Sequence, residues 1–349
     1  MSSDGGRIGP QPVRSRMSRW RTYAELLERD DGPPGSAWGI FGRDDELGTL
    51  NHLTPEAVRA ATALVESGEV LNLDLPLDVF QESLIASRKP LRHTLFANNP
   101  FHRDEVIDSF YTQAASQLDG LRHIGHPELG FYNGADPERF TAGEPFLGIN
   151  RYAEHGIVGR GVLLDVERHL RMQGTPLDHA QGEAIPISLV AQTAVAQEVE
   201  LRPGDILMIR TGWVHHHLRE RDAQQRRHDI QTLRSTGLEP SHETVAWLWD
   251  NRFSVVGTDN VAVEAWPARP DSPFLTDAER RGDEPRTSHS GLMHRVLIPL
   301  LGMALGELWA LDELADRCAV DGRWDCMIVA KPLNLTGGAG SPLNAVAIR

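Results

Sequence analysis

Cysteine is nearly missing from this chain, with Cys318 and Cys326 the only two in 349 residues. Two thiols cannot build a disulfide framework, and on either side of an Asp-Gly turn they are expected as buried thiols rather than a redox pair. Positive charge is also in deficit: 35 Lys and Arg stand against 49 Asp and Glu, a formal net charge of −14. Nucleic acid and anionic membranes are recognised by cationic faces, so neither is expected as a partner. No apolar run is long enough to span a bilayer, and the mean hydropathy is −0.34. Residues 1–18 carry Arg7, Arg14 and Arg16 with no apolar segment after them, so they read as a disordered leader rather than a secretory signal, and a cytoplasmic location is expected. Gly-x-Ser-x-Gly, the phosphate-binding Gly-x-x-x-x-Gly-Lys-Ser/Thr loop, Cys-x-x-Cys and His-Glu-x-x-His are all missing, which leaves serine hydrolase, P-loop and zincin chemistry without support.

What is there alternates between helical and extended patterns. Trp20, Tyr23, Leu26 and Leu27 fall at helical spacing before Asp31-Gly32-Pro33-Pro34-Gly35, so residues 1–35 read as a flexible N-terminal arm with a short helix and 36–349 as one domain. Thr54-Pro55 opens a helix, and Val70 to Leu77 alternates apolar and polar residues like a strand near a sheet edge. Gly161 to Val166, Ile206 to Ile209, Phe253 to Gly257 and Cys326 to Ala330 read as strands, the first two as interior ones. Ile187 to Gln197, a segment capped by Ser241, and a long apolar run from Met293 to Ala310 read as helices. Arg219 to Thr236 suits an exposed helix or a lid, and Pro267 to His289 a surface loop of unusual length. The class is mixed α/β with no internal repeat.

Chemistry must then rest on histidines, of which there are 15, and on carboxylates. The densest polar segment runs from Gln113 to His126, where Asp119 and His123 stand four apart with Gly120 between them. A carboxylate can hold a divalent ion or orient an imidazole, and an imidazole can pass a proton near neutral pH. The same spacing suits a turn cap beside an ordinary half-buried histidine. His294 and Glu307 stand at opposite ends of an apolar run that Pro299 must kink or divide, so they could converge on one point or reach solvent separately. His215-His216-His217 reads as a solvated loop, and the glycines of Gly337 to Ser341 as a tight turn. Trp38, Phe41, Phe131, Tyr132 and Trp213 are candidates to line an apolar pocket.

Ser116-Gln117-Leu118-Asp119-Gly120-Leu121-Arg122-His123 resembles a variant signature of the bacterial putative cyclase family, which is related to kynurenine formamidase (arylformamidase) and isatin hydrolase. Ordered matches extend the resemblance over roughly 36–349: Asp44 to Asn51, Arg160 to Val166, Arg202 to Leu207, Val256 to Asn260 and Gly337 to Asn344. The family pattern His-x-x-x-His-x-Asp-x-x-x-His falls on Gln113, Gln117, Asp119 and His123, so the aspartate and the acid/base histidine are kept while both metal histidines are glutamines. The resemblance places the family's late ligands on His294 and Glu307. It therefore implies one divalent metal, Mn, Zn or Mg, held by Asp119, His294 and Glu307, with His123 as catalytic acid/base. Gln113, Gln117 and His93 would touch substrate or bind the metal weakly.

The resemblance further implies a curved, barrel-like mixed β-sheet surrounded by helices, and a homo-oligomer. The implied activity is hydrolysis of a carbon–nitrogen bond in a linear or cyclic amide, with lactones or esters as further substrates, of the arylformamidase kind met in tryptophan catabolism. Two other readings stand beside it. One is a metal-independent cyclase, isomerase or dehydratase that uses the glutamine side chains. The other is a non-catalytic binding protein on the same fold.

Overall fold

A computed structural model describes residues 19–349. Its strands are β1 (Val70–Asn72), β2 (Arg92–Asn99), β3 (His102–Asp108), β4 (Gln117–Asp119), β5 (Ile157–Asp165), β6 (Ala184–Ile185) and β7 (Ile206–Arg210). They continue with β8 (Gly237–Leu238), β9 (Val255–Thr258), β10 (Ala304–Glu307), β11 (Asp325–Ala330), β12 (Gly340–Pro342) and β13 (Ala345–Ile348). Nine of them form one curled sheet in the order β1-β13-β11-β5-β7-β9-β10-β4-β12, while β2 pairs only with β3 and β6 only with β8. The central neighbours β5, β7, β9 and β10 run parallel, and the flanking pairs are antiparallel. The expected mixed α/β class with a curved sheet is thus the observed one.

The apolar strands are buried on both faces, which is why they read as continuous runs. Val162, Leu164, Leu207, Ile209, Val256 and Leu305 pack on one side with Val190, Val245 and Leu248 from helices Ile187–Ala196 and His242–Asp250. Leu163, Ile206, Met208, Val255 and Ala304 alternate onto the other side with Leu314 and Cys318 of helix Asp312–Asp321. Both cysteines are free and buried, as expected.

Several expectations change in the structure. Helix Tyr23–Leu27, expected within a flexible arm, buries Tyr23 and Leu26 in the core and is capped by Thr22, so residues 19–35 pack on the domain; residues 1–18 lie outside the described ones. β1 stops at Asn72 because that side chain closes a local turn with the backbone of Asp74. The run from Met293 to Ala310 is not one helix: it splits into helix His294–Leu297 and strand β10. Pro299 has no N–H to continue a helix, and Gly302 turns at φ +66°, where a Cβ would meet the Tyr132 ring. The stretch 267–289 is no simple surface loop either. It buries Ser272, Phe274, Leu275 and Glu279, and it contains the helix Asp277–Arg281.

Candidate active site

Antiparallel pairing of β10 with β4 sets Glu307 opposite Gln117 and Leu305 opposite Asp119. Because side chains alternate along a strand, Gln117 and Asp119 leave the same face and meet Glu307 there. On its other edge β4 pairs with β12, where Gly340 stands opposite Asp119. A Cβ at Gly340 would lie 2.7 Å from Cδ of Gln113, so the glycine there lets Gln113 reach the site.

The break at Pro299 and Gly302 folds the apolar run back on itself, and His294 Nε2 comes to 2.9 Å from Glu307 Oε1. Asp119 Oδ2 lies 3.7 Å from Nε2 of His294 and 3.7 Å from Nε2 of His123. One ligand atom from each of Asp119, His294 and Glu307 falls within 4.8 Å of the others, and all three residues are buried. The sequence-expected ligand set is therefore brought together in space.

A fourth buried acid escaped the sequence reading. Glu264 Oε1 accepts from both the backbone N–H of His294 and its Nδ1, the latter at 2.9 Å. This contact holds a proton on Nδ1 and turns Nε2 toward Glu307 and Asp119. A lone carboxylate inside Val261-Ala262-Val263-Glu264-Ala265 was its available signal, since a charge in an apolar segment needs a partner.

The glutamines act as hydrogen-bond donors to the acids. The Gln113 amide donates to Asp119 Oδ1 and lies 3.1 Å from His123 Nδ1, and the Gln117 amide donates to Glu307 Oε2. Among the described residues Asp119 Oδ2 and Glu264 Oε2 are buried with no hydrogen-bond partner.

Electrostatics follow from this crowding. Burial and the neighbouring Asp119 charge push the Glu307 carboxyl up to about 7, although His294 works against the rise. Burial would also raise Asp119, but the neighbouring imidazoles of His123 and His294 and the Gln113 hydrogen bond outweigh it and lower its carboxyl below the usual range. Burial opposes a charge on His294, yet Glu264, Asp119 and Glu307 together favour a cation there. His123 is pushed down by burial despite Asp119, so it is neutral near pH 7 and can accept a proton.

These donors fit a metal. Three carboxylates around one imidazole leave negative charge uncompensated in a desolvated place, and one oxygen of Asp119 points into it unpartnered. One nitrogen and two carboxylate oxygens suit Mn, Zn or Mg, with the amide donors of Gln113 and Gln117 bracing the carboxylates.

Beside the cluster lies a cavity of about 70 Å³ whose lining includes Arg88, Gln117, His123, Trp266, His289 and Glu307. His289 comes from the stretch 267–289 and places its ring 6.0 Å from that of His123 and 6.4 Å from that of His294. Burial, with the neighbouring imidazoles of His294 and His123, pushes His289 down to about 4, so it is neutral as well. His93 is not in this place: it stands exposed on the β2–β3 hairpin, paired with Glu105 at 2.6 Å, because both faces of that hairpin point away from the core. The aromatic candidates are also elsewhere. Tyr132 and Trp213 are core residues, the Trp38 indole bonds the Pro299 carbonyl, Phe41 meets His52 and Phe131 meets Phe140 edge-to-face, while Trp266 lines the cavity instead. His217 of the triple-histidine run is buried against Trp213 and has no part in the cluster.

The model of the family described as "Putative cyclase" matches residues 75–265, more than half of the chain. A crystal structure described as a novel cyclase is 31% identical and superposes with a TM-score of 0.75 over 90% of this chain and 99% of its own. Isatin hydrolase A from Labrenzia aggregata, solved with benzyl benzoate, shares the fold at 16% identity and a TM-score of 0.54 over 86% of this chain and 98% of its own. Isatin hydrolase A from Ralstonia solanacearum does so at 16% identity and 0.51, over 84% and 97%. Among curated proteins, the pH-response regulator protein palI/RIM9 of Yarrowia lipolytica aligns at 28% identity over 139 residues, 39% of this chain and only 18% of that relative's length.

Proposed function

Because the chain belongs to the putative cyclase family, we propose that it is a metal-dependent hydrolase that opens a carbon–nitrogen bond in a linear or cyclic amide, arylformamidase-like in chemistry, with lactones or esters as further substrates. The observation that carries this reading is the buried set of Asp119, His294 and Glu307, with one unpartnered oxygen on Asp119 and a second acid, Glu264, behind the imidazole. A divalent ion held there supplies Lewis acidity toward a carbonyl oxygen and lowers the pKa of water.

The chain's own groups do the rest. Glu264 keeps the His294 Nε2 turned toward the two carboxylates. Neutral His123 takes a proton at a ring nitrogen and returns it to the leaving nitrogen. Gln113 orients Asp119 and His123 at once, and Gln117 orients Glu307. The apolar walls of the cavity limit water around the reacting atoms.

His123→Ala should lower kcat/KM on a cleaved amide or lactone by ~100-fold while the circular dichroism stays native. An unchanged rate would take His123 out of the mechanism. A second reading, a metal-independent cyclase or isomerase, is favoured by one feature: Gln113 and Gln117 place amide donors beside Asp119 and Glu307.

We further propose a homo-oligomer. The β2–β3 hairpin is exposed along both strands, with Phe101 99% and Leu95 63% accessible. A two-stranded ribbon is marginal alone in water. It carries Arg92 and Arg103 beside Asp104, Glu105 and Asp108, a self-complementary set of charges for a second copy.

A further inference from the structure

Among the described residues, several buried or half-buried arginines are fully occupied. Arg160 holds Asp205, Arg210 holds Asp165 and Arg295 holds Glu279, while Arg122 distributes its donors over the carbonyls of Thr141, Glu144, Phe146 and Gly337. Arg88 is different. It lines the active-site cavity, half-buried, and only its Nη1 is engaged, by the Gln113 carbonyl and at 3.5 Å by Gln117 Oε1. Among the described residues no carboxylate lies within ion-pair distance of it, and its Nη2 and Nε make no hydrogen bond. A guanidinium presents its donors as a fork that matches a carboxylate in two parallel bonds, and half of that fork is free here.

The surroundings give the free fork a direction. Gln117 turns its amide nitrogen to Glu307 and its amide oxygen toward Arg88, so the acid cluster and the guanidinium flank one carboxamide group. The cavity walls beside them are Leu84, Ile85, Val261, Leu292, Leu308 and Trp266. With a divalent ion held among Asp119, His294 and Glu307, Arg88 is a cationic side chain left in the lining for a second, anionic group of the bound molecule. Hydrolysis beside the acids then fixes the orientation of whatever is bound.

We propose that Arg88 receives a carboxylate carried by the substrate, so that the substrate class is a small amide or lactone bearing a carboxylate. This rests on the hydrolase reading of the same site, and Arg88 determines specificity within it.

The test compares 2-formamidobenzoate with formanilide on wild type, Arg88→Met and Arg88→Lys. One charge-assisted bidentate pair predicts that wild type favours the carboxylated compound by ~30-fold in kcat/KM, mostly through KM. Arg88→Met should bring that ratio to within ~3-fold of unity, and Arg88→Lys should recover part of it. A wild-type ratio near unity, or an Arg88→Met variant that slows both compounds in equal proportion, overturns the proposal. If neither compound is turned over, the hydrolase reading fails on these substrates, and calorimetry with benzoate and benzamide decides about Arg88 separately. Benzoate bound by wild type and lost in Arg88→Met supports the receptor role; wild type that binds no benzoate at millimolar concentration, or binds both compounds alike, contradicts it.

Discussion

At the scale of single residues the site is a set of mutually constrained protons. His294 stands between Glu264 and Glu307 with 2.9 Å contacts on both ring nitrogens, so each carboxylate decides what the other nitrogen can do. Glu264→Gln keeps the shape but weakens the hold on Nδ1–H, and it should reduce divalent-metal affinity by ~10–100-fold without loss of the fold. Isothermal titration with Mn²⁺ measures this, and wild-type affinity in the variant would leave Glu264 without a positioning role. Spacing singled out Asp119 and His123 but suited a turn cap equally; the family pattern gave them their roles and exposed Gln113 and Gln117 as replacements. Glu264, His289 and Arg88 were not legible, because each reaches the site from a segment whose own pattern says loop or apolar strand. His93 shows the converse: a histidine near the motif in sequence, yet placed by an outward hairpin away from the cluster.

At the scale of elements, breaks matter as much as regular structure. An apolar run broken by Pro299 and Gly302 brings His294 and Glu307 together, whereas one continuous helix would hold them nearly four turns apart. Periodicity alone reads this run as helical, since apolar residues in it satisfy both periods; the turn at Gly302 comes from its packing on Gly48 and Tyr132. Helix Asp277–Arg281 is tied to helix His294–Leu297 through Glu279 and Arg295. The Arg295 hydrogen bonds hold the Glu279 carboxyl down from 4.5 to about 2. A depressed folded pKa stabilises above the unfolded value and loses that contribution as pH falls through the folded one. Urea unfolding between about pH 4.5 and 2 should therefore show a stability loss that Glu279→Gln lacks, with the variant ~3 kcal/mol less stable at pH 7 because Arg295 is left buried and unpaired. Identical pH slopes would contradict this. Replacing 93–107 of the hairpin by a short Gly-Ser turn should reduce the oligomer to a monomer in light scattering, and an unchanged mass would remove the hairpin from the interface.

At the scale of the whole molecule, the strand arrangement explains why one end of the sheet carries the chemistry. Parallel strands β5, β7, β9 and β10 are buried on both faces and form the rigid centre, and the short antiparallel strand β4 is clamped between β10 and β12 at its edge. Leu207→Ala should cost about 2–5 kcal/mol of stability in chemical denaturation, since its side chain is fully buried between sheet and helices, and a loss below 1 kcal/mol would contradict the two-sided core. The interior strands were legible as uninterrupted apolar runs, but their order and the curl of the sheet are properties of long-range pairing that no local pattern records. The central claim, that the buried acids around His294 hold a metal for hydrolysis, is tested most directly by elemental analysis of untagged protein. Wild type should carry about one Mn, Zn or Mg per chain, and Asp119→Asn and His294→Ala should both lose it. No stoichiometric metal in wild type, even after Mn²⁺ or Zn²⁺ is added, would contradict the account and leave the glutamine-based cyclase in its place.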